Sequence, residues 1–272
     1  MVIIGLGTAG CGVANNFSDA YEKVLIKEED FPQCTTEEDF ETKCPNFFRG
    51  KNSRFKNLKF NECWFFVCGG SKCSSATLRI LESIKDKKIN IGYIFPDLSW
   101  ASPQVTLRHK VVFNILQEYT RSGLLNSITI LSNKDILNII GDQSIAEMYN
   151  SINKQIANTI ETIIWFQNQQ PVLGGHHKPK EISRIRTVTY GDFKKNEEKF
   201  MHLLDNCTES CYIYSISKKL LESDKTLLSQ ITKKIADDST NNIKSSFSVF
   251  ASEHNQSFFY SIKYTHYIQG WR

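Results

Sequence analysis

Two runs of small residues stand where backbone amides can hold an anion. The first, Gly5-Leu6-Gly7-Thr8-Ala9-Gly10-Cys11-Gly12, overlaps the end of a strand-like stretch, Met1 to Leu6, and leads into a short helix to about Phe17. The second, Gly69-Gly70-Ser71-Lys72-Cys73-Ser74-Ser75, follows the continuous apolar run Cys63 to Cys68 and precedes a helix over Ala76 to Lys85. A strand, a small-residue turn and a helix N-terminus leave free N–H groups pointing at whatever sits there, and the helix dipole favours negative charge. A third pair has a different chemistry. Tyr149 and Asn153 are four residues apart in a helical pattern, so they share a face on which one side chain can cover a flat ring while the other reads its edge.

That pattern spans Gly141 to Gln167 and predicts the element that joins the two halves of the chain. Ser144 and Glu147 form a capping box, and apolar residues recur at Ile145, Met148, Tyr149, Ile152, Ile156, Ile160, Ile163 and Ile164. Pro171, Gly174 and Gly175 mark its end. At 1.5 Å per residue such a helix is roughly 35 Å long, a strut able to carry different chemistry at its two ends.

Before the strut, strands at Lys23 to Ile26, Ile89 to Phe95 and Ile128 to Leu131 alternate with a helix from about Gln104 to Arg121, which implies a parallel sheet covered on both faces. The stretch from Glu28 to Asn57 lacks periodicity and reads as a surface excursion with a solvated charge pattern. After the strut come an extended run Ile182 to Thr189, a turn at Tyr190-Gly191-Asp192, a helix around Asn196 to Leu204 and a strand Tyr212 to Ile216. A helix from Lys219 to Ala236 and strands Ser246 to Ala251 and Phe258 to Tyr267, read as a hairpin, complete a small α+β half. The expected organisation is therefore α/β: a parallel-sheet nucleotide-binding domain over 1–142, a long central helix over 143–168 and a smaller α+β domain over 181–272.

The 272 residues, 40% hydrophobic and 23% charged with a formal net charge of +4, are ordinary for a chain with a real core, and the basic residues are too dispersed to suggest direct nucleic-acid binding. Apolar runs fall short of the ~20 residues of a membrane span and the start lacks a signal-peptide pattern, so a cytosolic protein is expected. The eight cysteines contain no C-x-x-C pair and read as reduced thiols used as small apolar side chains. His176 and His177, in a Gly/Pro loop, read as solvated, and no metal site is expected from the protein's own side chains.

The order of these parts resembles the tubulin/FtsZ family of GTP-binding filament proteins over most of the chain. The first loop is similar to that family's first phosphate loop, the second stands where it has its GGGTGSG signature, and Phe95-Pro96-Asp97 falls where it has a proline loop around the sugar. Leu131-Ser132-Asn133-Lys134-Asp135-Ile136 is similar to the "IPNDRL" segment, whose asparagine meets the guanine. The resemblance implies GTP or GDP, with Mg2+, held by Gly7, Thr8, Gly10, Cys11, Gly69, Gly70, Ser71, Lys72, Cys73, Pro96, Asn133, Tyr149 and Asn153. It further implies self-assembly into head-to-tail filaments in the cytoplasm, or the host cytoplasm for a phage-encoded chain, since short divergent members are typical of phages and plasmids. No docking tail is expected after Arg272. Gly191-Asp192-Phe193 resembles the "NVDFAD" loop, which implies that Asp192 is catalytic and reaches the neighbouring subunit's nucleotide.

The departures bear on hydrolysis. Lys72 replaces a glycine, Cys73 a hydroxyl, Tyr190 an asparagine and Lys195 the second acid of the far loop. Loss of one positioned acid or base costs ~10²–10⁴ in rate, so binding is the firmer expectation. Two other readings stay open: a nucleotide-binding or structural homologue that does not polymerise, and an NAD(P)-dependent oxidoreductase, which the first loop and Glu28 favour.

Overall fold

The computed structural model describes residues 1–51, 53–99, 101–193, 195 and 197–270. Asn196, the expected start of a helix, and Arg272 lie outside them.

The first half is built as the alternation predicts. Strand β1 (Val2–Leu6) leads into α1 (Gly7–Asn15), then β2 (Glu22–Ile26), α2 (Glu37–Thr42), β3 (Glu62–Cys68), a 3-10 turn (Lys72–Ala76) with α3 (Thr77–Ser83), β4 (Lys88–Phe95), α4 (Pro103–Arg121), β5 (Ser127–Ser132) and α5 (Asn133–Ile140). Strands β2, β1, β3, β4 and β5 lie side by side in that order, all parallel. The period of two in each strand divides the interior. Val2, Ile4, Phe65, Val67 and Ile91 face α3 and α4, while Ile3, Trp64, Phe66 and Ile94 face α1 and the helix that follows α5. The stretch before β3 is not the surface excursion expected. Phe31, Phe40, Phe47 and Phe48 are buried in the first of these cores, with Phe31 5.1 Å from Phe40 and 5.4 Å from Phe47 between ring centres. The aromatics outweigh the lack of periodicity because one core covers them all.

Helix α6 (Met148–Gln167) is the strut, 20 residues and about 30 Å long. It starts later than its pattern suggests. Gly141 has φ 77° and closes α5, and no Ser144–Glu147 capping box forms; instead the Ser144 carbonyl accepts from the amides of Glu147 at 3.0 Å and Met148 at 2.9 Å. Ile145 is accordingly 93% exposed. The stripe from Ile152 to Phe166 packs on strands from both halves, including Ile3 and Phe66 of the first and Val188 and Ile262 of the second.

The second half departs further from expectation. Its elements are β6 (Leu173–Gly174), β7 (Ile185–Asp192), β8 (Glu197–Phe200), β9 (Glu209–Ser217), α7 (Lys218–Ser223), α8 (Leu227–Thr240), β10 (Lys244–Ser252) and β11 (Phe258–Thr265). The sheet continues from β5 through β7, β11, β9 and β10 to β6, with β8 paired to β7. Its seam is narrow: Ile128 pairs with Ile185 and Thr129 with Arg186. Strands β10 and β11 are not a hairpin, because β9 lies between them, parallel to β10 and antiparallel to β11. Where a helix was expected near Leu204, residues 197–200 form a strand. Its inward Glu198 lies 3.3 Å from Lys263 and 3.2 Å from Lys234, an ion-pair cluster that only an extended backbone can deliver into the sheet. No helix among the described residues is long and apolar enough to cross a membrane.

Candidate functional site

Strand order 2-1-3-4-5 reverses direction between β1 and β3, and the crevice beyond the carboxyl ends of strands at such a reversal is the usual ligand position in an open α/β sheet. Both small-residue loops leave from these two strands. Gly7, at the junction of β1 and α1, has φ +69°, and a Cβ there would stand 2.9 Å from Ser71 Oγ of the second loop. A Cβ on Gly10 would come within 2.3 Å of the Phe66 carbonyl, so only glycine lets α1 lie this close to β3. The strut closes a third side, since the position a Gly12 Cβ would take is 2.3 Å from Asn153 Nδ2. Pro96 approaches from β4, its Cβ lying 3.6 Å from the same position on Gly70.

The structure thus brings Gly7, Gly10, Ser71, Gly70, Pro96 and Asn153 around one crevice. Thr8 and Lys72 are exposed at its rim. Lys72 is not strained: Asn206 and Asn242 are the non-glycine residues with positive φ, so the loss of glycine at this position costs no backbone energy among the described residues. Gly69 roofs the Tyr93 hydroxyl, 1.9 Å from where its Cβ would be, and Ser74 Oγ donates to the Gly69 and Ser71 carbonyls at 3.0 and 2.6 Å, fixing the turn. Cys11 and Cys73 are buried with their thiols drawn inward. The Cys11 Sγ donates to the Gly5 and Ile26 carbonyls, burial pushes its pKa up to about 11, and burial raises Cys73 as well. Neither is a thiolate; what they present to the crevice is backbone. All eight cysteines are free thiols.

Tyr149, one turn before Asn153 on α6, is 57% exposed, which sets aside a role as a core aromatic and leaves its ring available to a partner. Asn133 is the first residue of α5, half-buried, after Ser132, whose hydroxyl caps the helix by accepting from the Asp135 amide at 3.2 Å. Between Pro96 to Ser99, the start of α5 and residues 202–205 opens a cavity of about 350 Å³. The glycine loops do not line it.

Arg108 was not foreseen. From α4 its Nη1 donates to the Gly70 carbonyl at 2.7 Å while Nη2 pairs with Glu37 of α2, and the residue is 8% exposed. A charge-assisted bond of this kind holds the second loop in place. The signal in the sequence was an Arg108–His109 pair in the middle of the apolar stripe Val105, Val112, Phe113, Leu116, where charge has no place unless it is used. His109 Nδ1 is 2.8 Å from the Tyr93 hydroxyl, and burial lowers its pKa to about 4.

Asp192 is elsewhere. Strand β7 runs parallel to β5, so its last residue, Asp192, lies toward the same end of the sheet as the glycine loops and not beyond the far end of α6. Gly191 and Asp192 are paired strand residues, opposite Phe259 and Phe258 on one side and Glu198 and Glu197 on the other, and Asp192 Oδ1 accepts from the Lys195 amide at 3.2 Å. The segment that does follow the strut, residues 168–184, has Glu181 as its one carboxylate beside His176, His177, Lys178, Lys180 and Arg184. His177 is not solvated: its Nδ1 lies 2.8 Å from Ser246 Oγ and its Nε2 3.4 Å from the buried Glu209. No group of three or more His, Cys, Asp or Glu side chains placed to hold a metal occurs among the described residues.

No protein-family model matches the sequence, and no curated protein does. Solved structures do match in fold. A GTPγS-form protofilament of TubZ from Bacillus thuringiensis serovar israelensis superposes with a TM-score of 0.70 at 13% identity, over 97% of this chain and 86% of that one. CetZ from Methanosaeta thermophila strain DSM 6194 gives 0.65 at 12% identity, covering 98% and 86%. An empty FtsZ dimer from M. jannaschii gives 0.65 at 9% identity, covering 97% and 87%.

Proposed function

We propose that this chain, which has the tubulin/FtsZ-like fold, binds GTP or GDP with Mg2+ in the β1/β3 crevice and self-assembles head to tail in the cytoplasm. The observation that carries the reading is the meeting of three separate segments, Gly7 against Ser71 and Gly12 against Asn153, at the strand-order reversal. Phosphates would lie over the amides of Gly7, Thr8, Gly10, Cys11, Gly69, Gly70, Ser71, Lys72 and Cys73 at two helix starts, with the Lys72 ammonium adding charge at the rim. Pro96 would border the sugar, and Asn133, Tyr149 and Asn153 the base. The neighbours solved as a protofilament, as two- and four-stranded TubZ filaments and as an FtsZ dimer support self-association.

A second reading, assembly or binding with little hydrolysis, is favoured by one observation. In the head-to-tail arrangement that the resemblance implies, the loop beyond the strut would face the next subunit's nucleotide, and here that segment is basic with Glu181 alone as an acid. Asp192, paired at the end of β7 toward the opposite end of the sheet, is not part of that segment.

Nucleotide binding and right-angle light scattering with GTP, GDP or NADH separate the readings. The proposal expects GTP binding that Gly70→Val abolishes, because a side chain there blocks backbone approach, together with scattering that rises with GTP and protein concentration. Binding of NADH in place of GTP, or GTP binding that survives Gly70→Val unchanged, refutes it.

A further inference from the structure

Near the start of β7, at the end of the sheet away from the glycine loops, Arg186 enters the interior on the α6 side. Its Nε donates to Thr129 Oγ1 at 2.9 Å, and its guanidinium lies 5.3 Å from the centre of the Trp64 ring and against the Tyr264 hydroxyl. Those two oxygens occupy two of its five N–H donors. Among the described residues it forms no ion pair within 4.0 Å. Glu62 acts on it electrostatically from beyond that distance, but burial outweighs this attraction, so much of the cost of the buried cation is left for an anion to answer.

A cavity of about 300 Å³ opens beside it, lined also by Lys180, Glu181, Arg184, Ser127 and Tyr264. Lys180 and Arg184 likewise form no ion pair among the described residues, so three cations face one space with one carboxylate at its edge. The segment that carries two of them is fixed from behind. Fully buried Glu209 accepts from the Lys180 amide at 3.3 Å and from Ser183 Oγ at 2.5 Å, and the Arg184 carbonyl accepts from the Ile128 amide at 2.9 Å. A preset backbone lowers the cost of ordering a ligand.

We propose that this cavity binds a small phosphorylated anion, of the size of pyrophosphate or a sugar phosphate, held by Lys180, Arg184 and Arg186. Two guanidinium groups offer planar forks that match phosphate oxygens, the ammonium adds a point charge, and the space is at the small end of ligand pockets. The site is separate from the crevice at β1 and β3 and does not rest on the nucleotide reading.

The test is titration of the full chain with inorganic phosphate, pyrophosphate and glucose 6-phosphate at constant ionic strength, followed by calorimetry and tryptophan emission. At least one anion should bind saturably and change the emission, a change lost in Trp64→Phe because Arg186 lies over that ring. The double variant Lys180→Ala/Arg184→Ala should weaken binding about tenfold or more, with circular dichroism confirming its fold. The exposed Lys180→Ala alone should show part of that loss. Absence of saturable binding of all three anions overturns the proposal and leaves the cations to a carboxylate of another chain. So does a double variant that binds as tightly as the parent.

Discussion

Replacing His109 with Phe probes the packing beneath the second glycine loop, and its effect can be worked out from the structure. The imidazole is fully buried, 4.3 Å from the Phe95 ring and 5.6 Å from the Phe113 ring between centres, with Nδ1 on the Tyr93 hydroxyl and Nε2 without a hydrogen-bond partner among the described residues. Burial therefore holds its pKa at about 4, against an ordinary 6.5. Above pH 6.5 the ring is neutral in both folded and unfolded chains. Between 6.5 and about 4 the unfolded chain takes up a proton that the folded one refuses, so stability is lost as pH falls through this window. The gap between 6.5 and about 4 is worth roughly 3 kcal/mol at 1.36 kcal/mol per pH unit. In His109→Phe this loss should vanish, at the expense of about 1 kcal/mol near neutrality for the bond to Tyr93, whose hydroxyl keeps a second partner in the residue-109 carbonyl at 3.3 Å. Urea unfolding at about pH 7.5 and about pH 4 measures both terms. His177 and His202, also lowered by burial, should leave a residual slope in parent and variant alike. Equal losses of stability on acidification in parent and variant would refute the reasoning.

The base pocket predicts that Tyr149→Ala weakens GTP binding by the worth of one stacked base, about 1–3 kcal/mol or roughly 5- to 150-fold, without changing stability, since the ring is exposed; equilibrium binding with a fluorescent GTP analogue reads it. Arg108→Gln should release the Gly70 carbonyl and Glu37 together and weaken GTP binding about tenfold, which binding at several salt concentrations would distinguish from a general electrostatic effect. Asp192→Ala should leave GTP turnover per molecule unchanged at every protein concentration and lower stability by about 1 kcal/mol through the lost Lys195 contact; a fall in turnover that deepens with concentration would restore a role between subunits. Glu181→Gln, the acid that does follow the strut, should lower any turnover that rises with protein concentration, as a phosphate-release assay would show.

How far the sequence was legible depended on whether a local signal and the tertiary context agreed. The first half was readable because each strand is apolar enough to be buried on both faces and each turn is marked by glycine or serine; Ser102 and Pro103 open α4 as their types require. Ile145 and Tyr149 continued the stripe of α6 in sequence, yet Gly141 set the chain on a path that leaves both in solvent. The segment Glu197 to Phe200 carried too little apolar weight to show its period of two, and its extended form comes from pairing with β7 and from the Glu198 ion pairs. Such pairs join residues far apart in the chain. The partners of Arg108 and Arg186 were illegible for a related reason: a charged side chain among apolar neighbours announces a partner without naming it.

Asp192 shows what a motif match leaves out. A short Gly-Asp-Phe run can be aligned with a catalytic loop on type and order alone, but the end of the sheet at which it stands is decided by strand direction. Leu131 and Val188 are level across the seam because Thr187 Oγ1 bonds the Ile130 carbonyl at 2.9 Å, and each further residue carries β7 about 3.3 Å onward in the direction of β5. Asp192 therefore stands about 13 Å past that level, toward the end of the sheet from which the glycine loops leave. Helix α6 runs the other way, alongside α1 and back down from the carboxyl ends of the strands: Asn153 lies against Gly12 in α1, and two turns on Glu161 accepts from the Ser18 amide at 3.2 Å, beyond the end of α1. The segment after the strut, residues 168–184, leaves from the lower end of this helix. The chain puts His176, Lys178, Lys180 and Arg184 there, with Glu181 as the segment's one carboxylate and His177 paired with buried Glu209 beneath, so that end is basic where the end bearing Asp192 is not.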